Sequence, residues 1–170
     1  MIMKQCLLFS VLLVLLRISV SDAQHKSPHP KHKKQLMSTT KDITVPFVEA
    51  NHYFIKNTYQ EGDLKHPKIT SLLEFERFVG YAPVMGDDGL PTAIDFNKQY
   101  VLLVPGHETD KLTTMRPISL TQHDKVITLT YEYHEGAKQT YRMLPFLLLI
   151  VDNQYQGEIK LVKVASGKGH

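Results

Sequence analysis

The sequence predicts an α+β fold: a mostly antiparallel sheet of about five to six strands, with one main helix at about residues 70–79 packed on one face. Three observations predict it. Only Thr70–Val79 carries helical periodicity, the chain from Tyr100 onward reads as successive strands, and short turns join those strands. Short turns imply antiparallel pairing, because parallel neighbours need long crossovers.

The chain begins with a segment that is not part of this fold. Met1–Gln5 is a short polar start carrying Lys4, and Cys6–Leu16 is an almost unbroken apolar run. Ser21-Asp22-Ala23 then places small residues three back and one back from a cut before Gln24. A charged start, an apolar middle and a small-residue exit form a secretion signal, assigned here to residues 1–23. A retained anchor is the alternative reading. Its apolar core would be about 11 residues, whereas a spanning helix needs about 20, and Arg17 follows at once. A lipid anchor is disfavoured because Cys6 opens the apolar run instead of standing at the cut. The chain is thus expected to be exported to the periplasm, the envelope or the exterior, with no membrane span after the signal.

Residues 24–41 hold five Lys, three His and two Pro, no acid, and almost nothing to bury. This composition is that of a basic flexible linker. His25, His29 and His32 suggest a metal site, but Pro28 and Pro30 prevent a helix from aligning the rings, and the lysines repel a cation. Weak attachment to an acidic or anionic surface is the reading left for this segment.

Residues 42–170 form the single α+β domain. Val45–Ile55 reads as a strand with an irregularity at Asn51-His52, and Gln60–Lys68 as a polar loop. In the helix, Ser71 and Glu74 make a capping box, Leu72, Phe75, Phe78 and Val79 form the buried stripe, and Gly80 stops it. Tyr81–Asn97 is a long connection. Its Gly86-Asp87-Asp88-Gly89 core is a turn, since the alternating oxygen ligands of a calcium loop do not continue through Leu90–Ala93.

Tyr100–Val104 is a continuous apolar run suited to a central strand. Thr113–Thr121 contains Pro117, which places it at an edge or gives it a bulge. Lys125–Tyr133 alternates, with Ile127, Leu129, Tyr131 and Tyr133 on one face. Glu135-Gly136 is read as a hairpin turn, after which Gln139, Tyr141 and Met143 resume the alternation. Phe146–Val151 is the most buried-looking segment, and Ile159–Val164 closes the sheet.

Charge and cysteine count exclude several functions. Of the chain's 20 Lys and Arg, 13 fall after residue 41, against 16 of its 17 Asp and Glu. The domain is therefore mildly acidic, which argues against nucleic acid as a partner. Cys6 is the single cysteine and leaves with the signal, so neither disulfides nor thiol chemistry are available to the domain.

No catalytic motif stands out. No serine lies in a G-x-S-x-G elbow, and no glycine-rich phosphate loop occurs. His107-Glu108 and His134-Glu135 each begin like a zinc-hydrolase helix but lack the second histidine. The loop Pro105–Leu112 directly follows the central strand, a place where scaffolds display contact residues. Its His107, Glu108 and Asp110 are the candidate binding residues, as metal ligands, as an acid–base pair or as an ordinary polar loop. Tyr131, Tyr133 and Tyr141 are read as core or cross-strand packing, with a ligand platform as the alternative.

The order of segments carries a resemblance. Ile69-Thr70-Ser71 opens a short acidic helix, Ile94-Asp95-Phe96-Asn97-Lys98-Gln99 leads into Tyr100-Val101-Leu102, and Leu144-Pro145 precedes Phe146–Val151. Residues 69–164 thus resemble the PrcB-like proteins, small exported bacterial proteins related to the C-terminal domain of a protease-complex component. The resemblance implies a compact α+β, non-catalytic module that binds a protein, in particular a secreted protease. That family has a Gly-Gly-Tyr turn after its buried strand, where this chain has Pro105–Asp110. No functional residue is carried over.

The expectation is an exported, non-enzymatic protein-binding module without cofactor or metal. Two alternatives stay open: a small-ligand or metal-binding enzyme using residues 105–112, and an envelope-associated structural protein held by its basic segment.

Overall fold

Strands dominate the computed structural model, which describes residues 42–165 apart from 87. The signal, the basic segment, Asp87 of the predicted turn and the tail from Ser166 lie outside the described residues. In chain order the elements are β1 (Ile43–Thr44), β2 (Phe47–Glu49), β3 (Tyr53–Ile55), β4 (Lys68–Ile69), α1 (Leu72–Phe78), β5 (Val79–Tyr81), β6 (Gln99–Pro105), β7 (Thr109–His123), β8 (Val126–Met143), β9 (Phe146–Asp152) and β10 (Glu158–Ala165). None of the described helices is long and apolar enough to cross a membrane.

The α+β class holds, but the strands do not form a single sheet. The central sheet runs β2-β9-β6-β4, the outer sheet β1-β7-β8-β10, and β3 pairs only with β5. Tyr100, Leu102, Val104, Leu147, Leu149 and Val151 of the central sheet pack against Leu120, Ile127, Leu129 and Tyr131 of the outer one. On its other face, Val101, Leu103, Leu148 and Ile150 pack against Phe75, Phe78, Val79 and Ile55. A strand covered on both faces has no reason to alternate, which accounts for the continuous apolar runs of β6 and β9. Tyr100–Leu103 and Leu149 are completely buried.

The helix is shorter than predicted. The Ser71 side chain accepts from the Glu74 amide at 3.3 Å, which is the N-cap half of the predicted capping box. Phe75, Phe78 and Val79 are buried, but Leu72 is half exposed. Gly80 does not stop the helix. Val79 is already extended, and Gly80 lies in β5 opposite Phe54, whose ring covers the space a side chain would need.

Three further expectations are corrected. Val45–Ile55 is not one strand: it divides into β2 in the central sheet and β3 in the small ribbon, with His52 at φ 64° in the break, and β1 just before it joins the outer sheet. Glu135-Gly136 is not a turn. The chain runs through it in β8, and the turn is Asp124-Lys125, with Asp124 at φ 52°. Gly136 instead meets the Leu112 backbone, where a Cβ would lie 3.0 Å from the carbonyl oxygen. Lastly, β10 pairs parallel to β8. The crossover that parallel pairing needs is β9 itself, which lies in the other sheet.

Pro117 does coincide with a bulge, since the β7–β8 register shifts between Pro117 and Ser119. The predicted alternation of β8 holds from Ile127 to Tyr131, all three odd positions being buried. Tyr133 is half-buried with the Lys163 ammonium 3.6 Å from its ring centre, and Tyr141 is exposed, so the three tyrosines make no common platform.

Candidate functional site

The chain passes from the central to the outer sheet at Gly106–Glu108 and returns at Leu144-Pro145. These two crossings lie side by side. Pro105 pairs with Phe146, and the Gly106 amide donates to the Pro145 carbonyl at 2.7 Å. A Cβ on Gly106 would stand 2.9 Å from the Pro145 ring, so the close approach depends on glycine. The predicted loop 105–112 is therefore shorter than expected, its last four residues belonging to β7.

Beside the crossings, a cleft of about 580 Å³ is lined by Ile55, Lys56, Tyr59, Glu61, Glu108 and Arg142 among others. Arg142 reaches it because β8 bulges there: Thr109 pairs with Met143 but Lys111 with Lys138, which leaves Gln139–Arg142 looped out of the ladder. The Arg142 Nε donates to Glu108 at 2.8 Å. Lys56 donates its ammonium to the Glu76 carbonyl at the end of α1.

The three sequence-predicted residues are not brought to one point. His107 pairs with Glu61 at 3.0 Å, both side chains about three-quarters exposed (74% and 75%). Glu108 pairs with Arg142, and Asp110 with Lys138 at 3.1 Å on the β7–β8 ladder. The hydrogen bond from Lys138 holds the Asp110 carboxyl below its ordinary range. Among the described residues no three His, Cys, Asp or Glu gather closely enough to hold a metal ion. Glu108 thus lines the cleft as half of an exposed ion pair with Arg142, which is worth little in water, while His107 contacts Glu61, itself a lining residue.

A second surface was not among the sequence candidates. Over α1 and the 81–96 connection, Leu73 is 84% exposed, Leu90 is 76% exposed, and Leu72, Tyr81, Val84 and Met85 are exposed as well. Of these, Leu72, Tyr81 and Leu90 line a shallow apolar depression of about 410 Å³ floored by Tyr53, Phe75 and Phe96. Its floor is rigid: Phe75 stacks edge-on to Tyr53 at 5.4 Å and packs tilted against Phe96 at 5.7 Å, while the Tyr53 hydroxyl donates to the Thr92 carbonyl. The signals that could have found it are Leu73, apolar but off the buried stripe, and apolar Val84, Met85 and Leu90 inside a turn-rich connection.

Comparison with known proteins adds no further residue, since no family model, curated protein or solved structure matches this chain.

Proposed function

We propose that this chain is an exported, non-enzymatic protein-binding module that holds its partner on the apolar surface over α1. The observation that carries the reading is that surface itself. Six large apolar side chains of α1 and the 81–96 connection stand in water, and three of them, Leu72, Tyr81 and Leu90, line an apolar depression, an arrangement that monomeric soluble proteins rarely leave uncovered. A protein segment presenting apolar anchors fits it, with the rigid aromatic floor receiving the anchor. The PrcB-like resemblance supplies the partner class, a secreted protease. The test compares tagged wild type with Leu72→Asp and Leu90→Asp in capture from native envelope and culture fluid. Both positions are exposed, so both variants should fold. One protein recovered stoichiometrically by wild type and lost with both variants supports the reading. Equal recovery by all three proteins, or a hydrolytic activity abolished by a single substitution in the domain, overturns it.

The cleft favours a second reading, a small-ligand site. Arg142 engages Glu108 through Nε alone, which leaves the two Nη groups to face a ligand carboxylate. Acetate and short dicarboxylates should then raise the melting temperature of wild type and leave Arg142→Gln unmoved. No shift in wild type removes this reading.

A further inference from the structure

Among the described residues, β10 is the longest edge strand that is both regular and open. Edge strands β1, β2 and β4 are two or three residues long. The outer side of β7 beyond β1 carries Pro117 and three register shifts. By contrast, β10 is eight residues long, contains no proline, and keeps an unbroken register with β8 from Glu158 to Ala165. It is the last strand of the outer sheet, and none of the described residues pairs with its other side. A long regular open edge is a template for another strand.

The direction of its free groups is fixed. The Glu158 amide donates to Lys125 on the β8 side at 2.7 Å, so the backbones of Glu158, Lys160, Val162 and Val164 face β8. Those of Ile159, Leu161, Lys163 and Ala165 face outward.

We propose that this edge pairs antiparallel with the β10 of a second copy of the chain, about a two-fold axis at Leu161 or Val162. In antiparallel pairs, outward-facing residues meet outward-facing residues. Lys160 faces inward and Lys163 outward, so the two never stand directly opposite each other across a two-fold. An axis at Lys160 or Lys163 sets like charges face to face, and it also shortens the overlap. An axis at Leu161 pairs Glu158–Val164 with itself, and one at Val162 pairs Ile159–Ala165. These are the longest overlaps the strand allows, and both set each lysine opposite an apolar residue. The lysine stems then lie on apolar neighbours with their charges in water. Parallel in-register stacking would align every lysine with its copy, so the same two residues oppose open-ended aggregation and permit the closed dimer. Leu161, 39% exposed in the single chain, lies at the centre of the joint. This pairing does not rest on the apolar surface over α1.

The test is the mass of the purified chain by sedimentation equilibrium, with two variants, followed by a cross-linking comparison. Wild type should approach twice the monomer mass as concentration rises. Leu161→Pro deletes an outward N–H and leaves the bonds to β8, so it should stay monomeric with an unchanged circular dichroism spectrum. Leu161→Ala keeps the N–H and should still dimerise. In a Cys6→Ala background, either Leu161→Cys or Val162→Cys, whichever residue lies on the axis, should form an intermolecular disulfide on mild oxidation, because only there do the two copies' Cα atoms come within bridging distance. Glu74→Cys should not. A wild type monomeric at all concentrations overturns the proposal, as does a dimeric Leu161→Pro or cross-linking at 161 and 162 that in neither case exceeds that at 74. If Leu161→Pro does not fold, the cross-linking comparison decides.

Discussion

The central sheet and the β7–β8 ribbon are built from the same kind of strand but are held by different forces. In β6 and β9 nearly every side chain is buried, on one face against the outer sheet and on the other against α1 and its neighbours. In the far half of the ribbon, residues 109–115 and 133–143, the register slips repeatedly and exposed ion pairs such as Lys111–Glu135 bridge the strands. Burial removes water from both faces at once and demands complementary shape, whereas exposed charges are screened and tolerate irregular pairing. Irregularity is therefore permitted in the ribbon, and there it turns Arg142 toward the cleft.

The largest test of this contrast is Leu102→Ala, which opens a cavity between two completely packed layers. It should cost about 2–5 kcal/mol in urea denaturation. A loss comparable to that of an exposed ribbon substitution would mean that the central sheet is not the stabilising layer.

A finer test uses the one polar group left inside that layer. Among the described residues the buried Tyr100 hydroxyl has no hydrogen-bond partner, and burial pushes its pKa up to about 12. The group holds its proton more tightly folded than unfolded. Its stabilising contribution is thus complete below pH ~10 and is lost as pH rises toward 12. Tyr100→Phe should keep its neutral-pH stability or gain about 1 kcal/mol, and should lose this alkaline step. A clear neutral-pH loss would reveal a partner for the hydroxyl.

The smallest effect belongs to the ribbon. The hydrogen bond from Lys111 holds the Glu135 carboxyl below its ordinary range, and the same bond raises Lys111. A lowered folded pKa stabilises above the unfolded carboxylate value and fades as pH falls through the folded one. The small advantage of wild type over Glu135→Gln should be present at neutral pH, shrink with added salt, and vanish in acid below the usual carboxylate range. An advantage that persists there would point to packing in place of charge.

Some of this molecule was legible in its residues. The Ser71–Glu74 cap, the Ile127–Tyr131 alternation, the bulge at Pro117 and the doubly buried runs of β6 and β9 each follow from local chemistry: a side-chain acceptor, a two-residue period, a missing amide, or an absence of polar positions. Glu135-Gly136 misled because glycine serves a turn and a close backbone approach equally well. Of the candidate site, His107 and Glu108 were found as loop polar residues beside a central strand. Their partners Glu61 and Arg142 were not, for one lies 46 residues upstream of His107 and the other is carried to the cleft where the β7–β8 register slips.

The residues alone were enough for the strands Tyr100–Val104, Ile127–Tyr131 and Phe146–Val151 and for the cap that starts the helix, because each is set by neighbours within a few residues. Only the tertiary structure decided how the strands divide between two sheets, why β10 runs parallel to β8, and which apolar side chains stay in water. Those outcomes depend on where Gly106–Glu108 and Leu144-Pro145 carry the chain between layers. The contacts that fix such crossings join residues far apart in the sequence, and no local pattern records them.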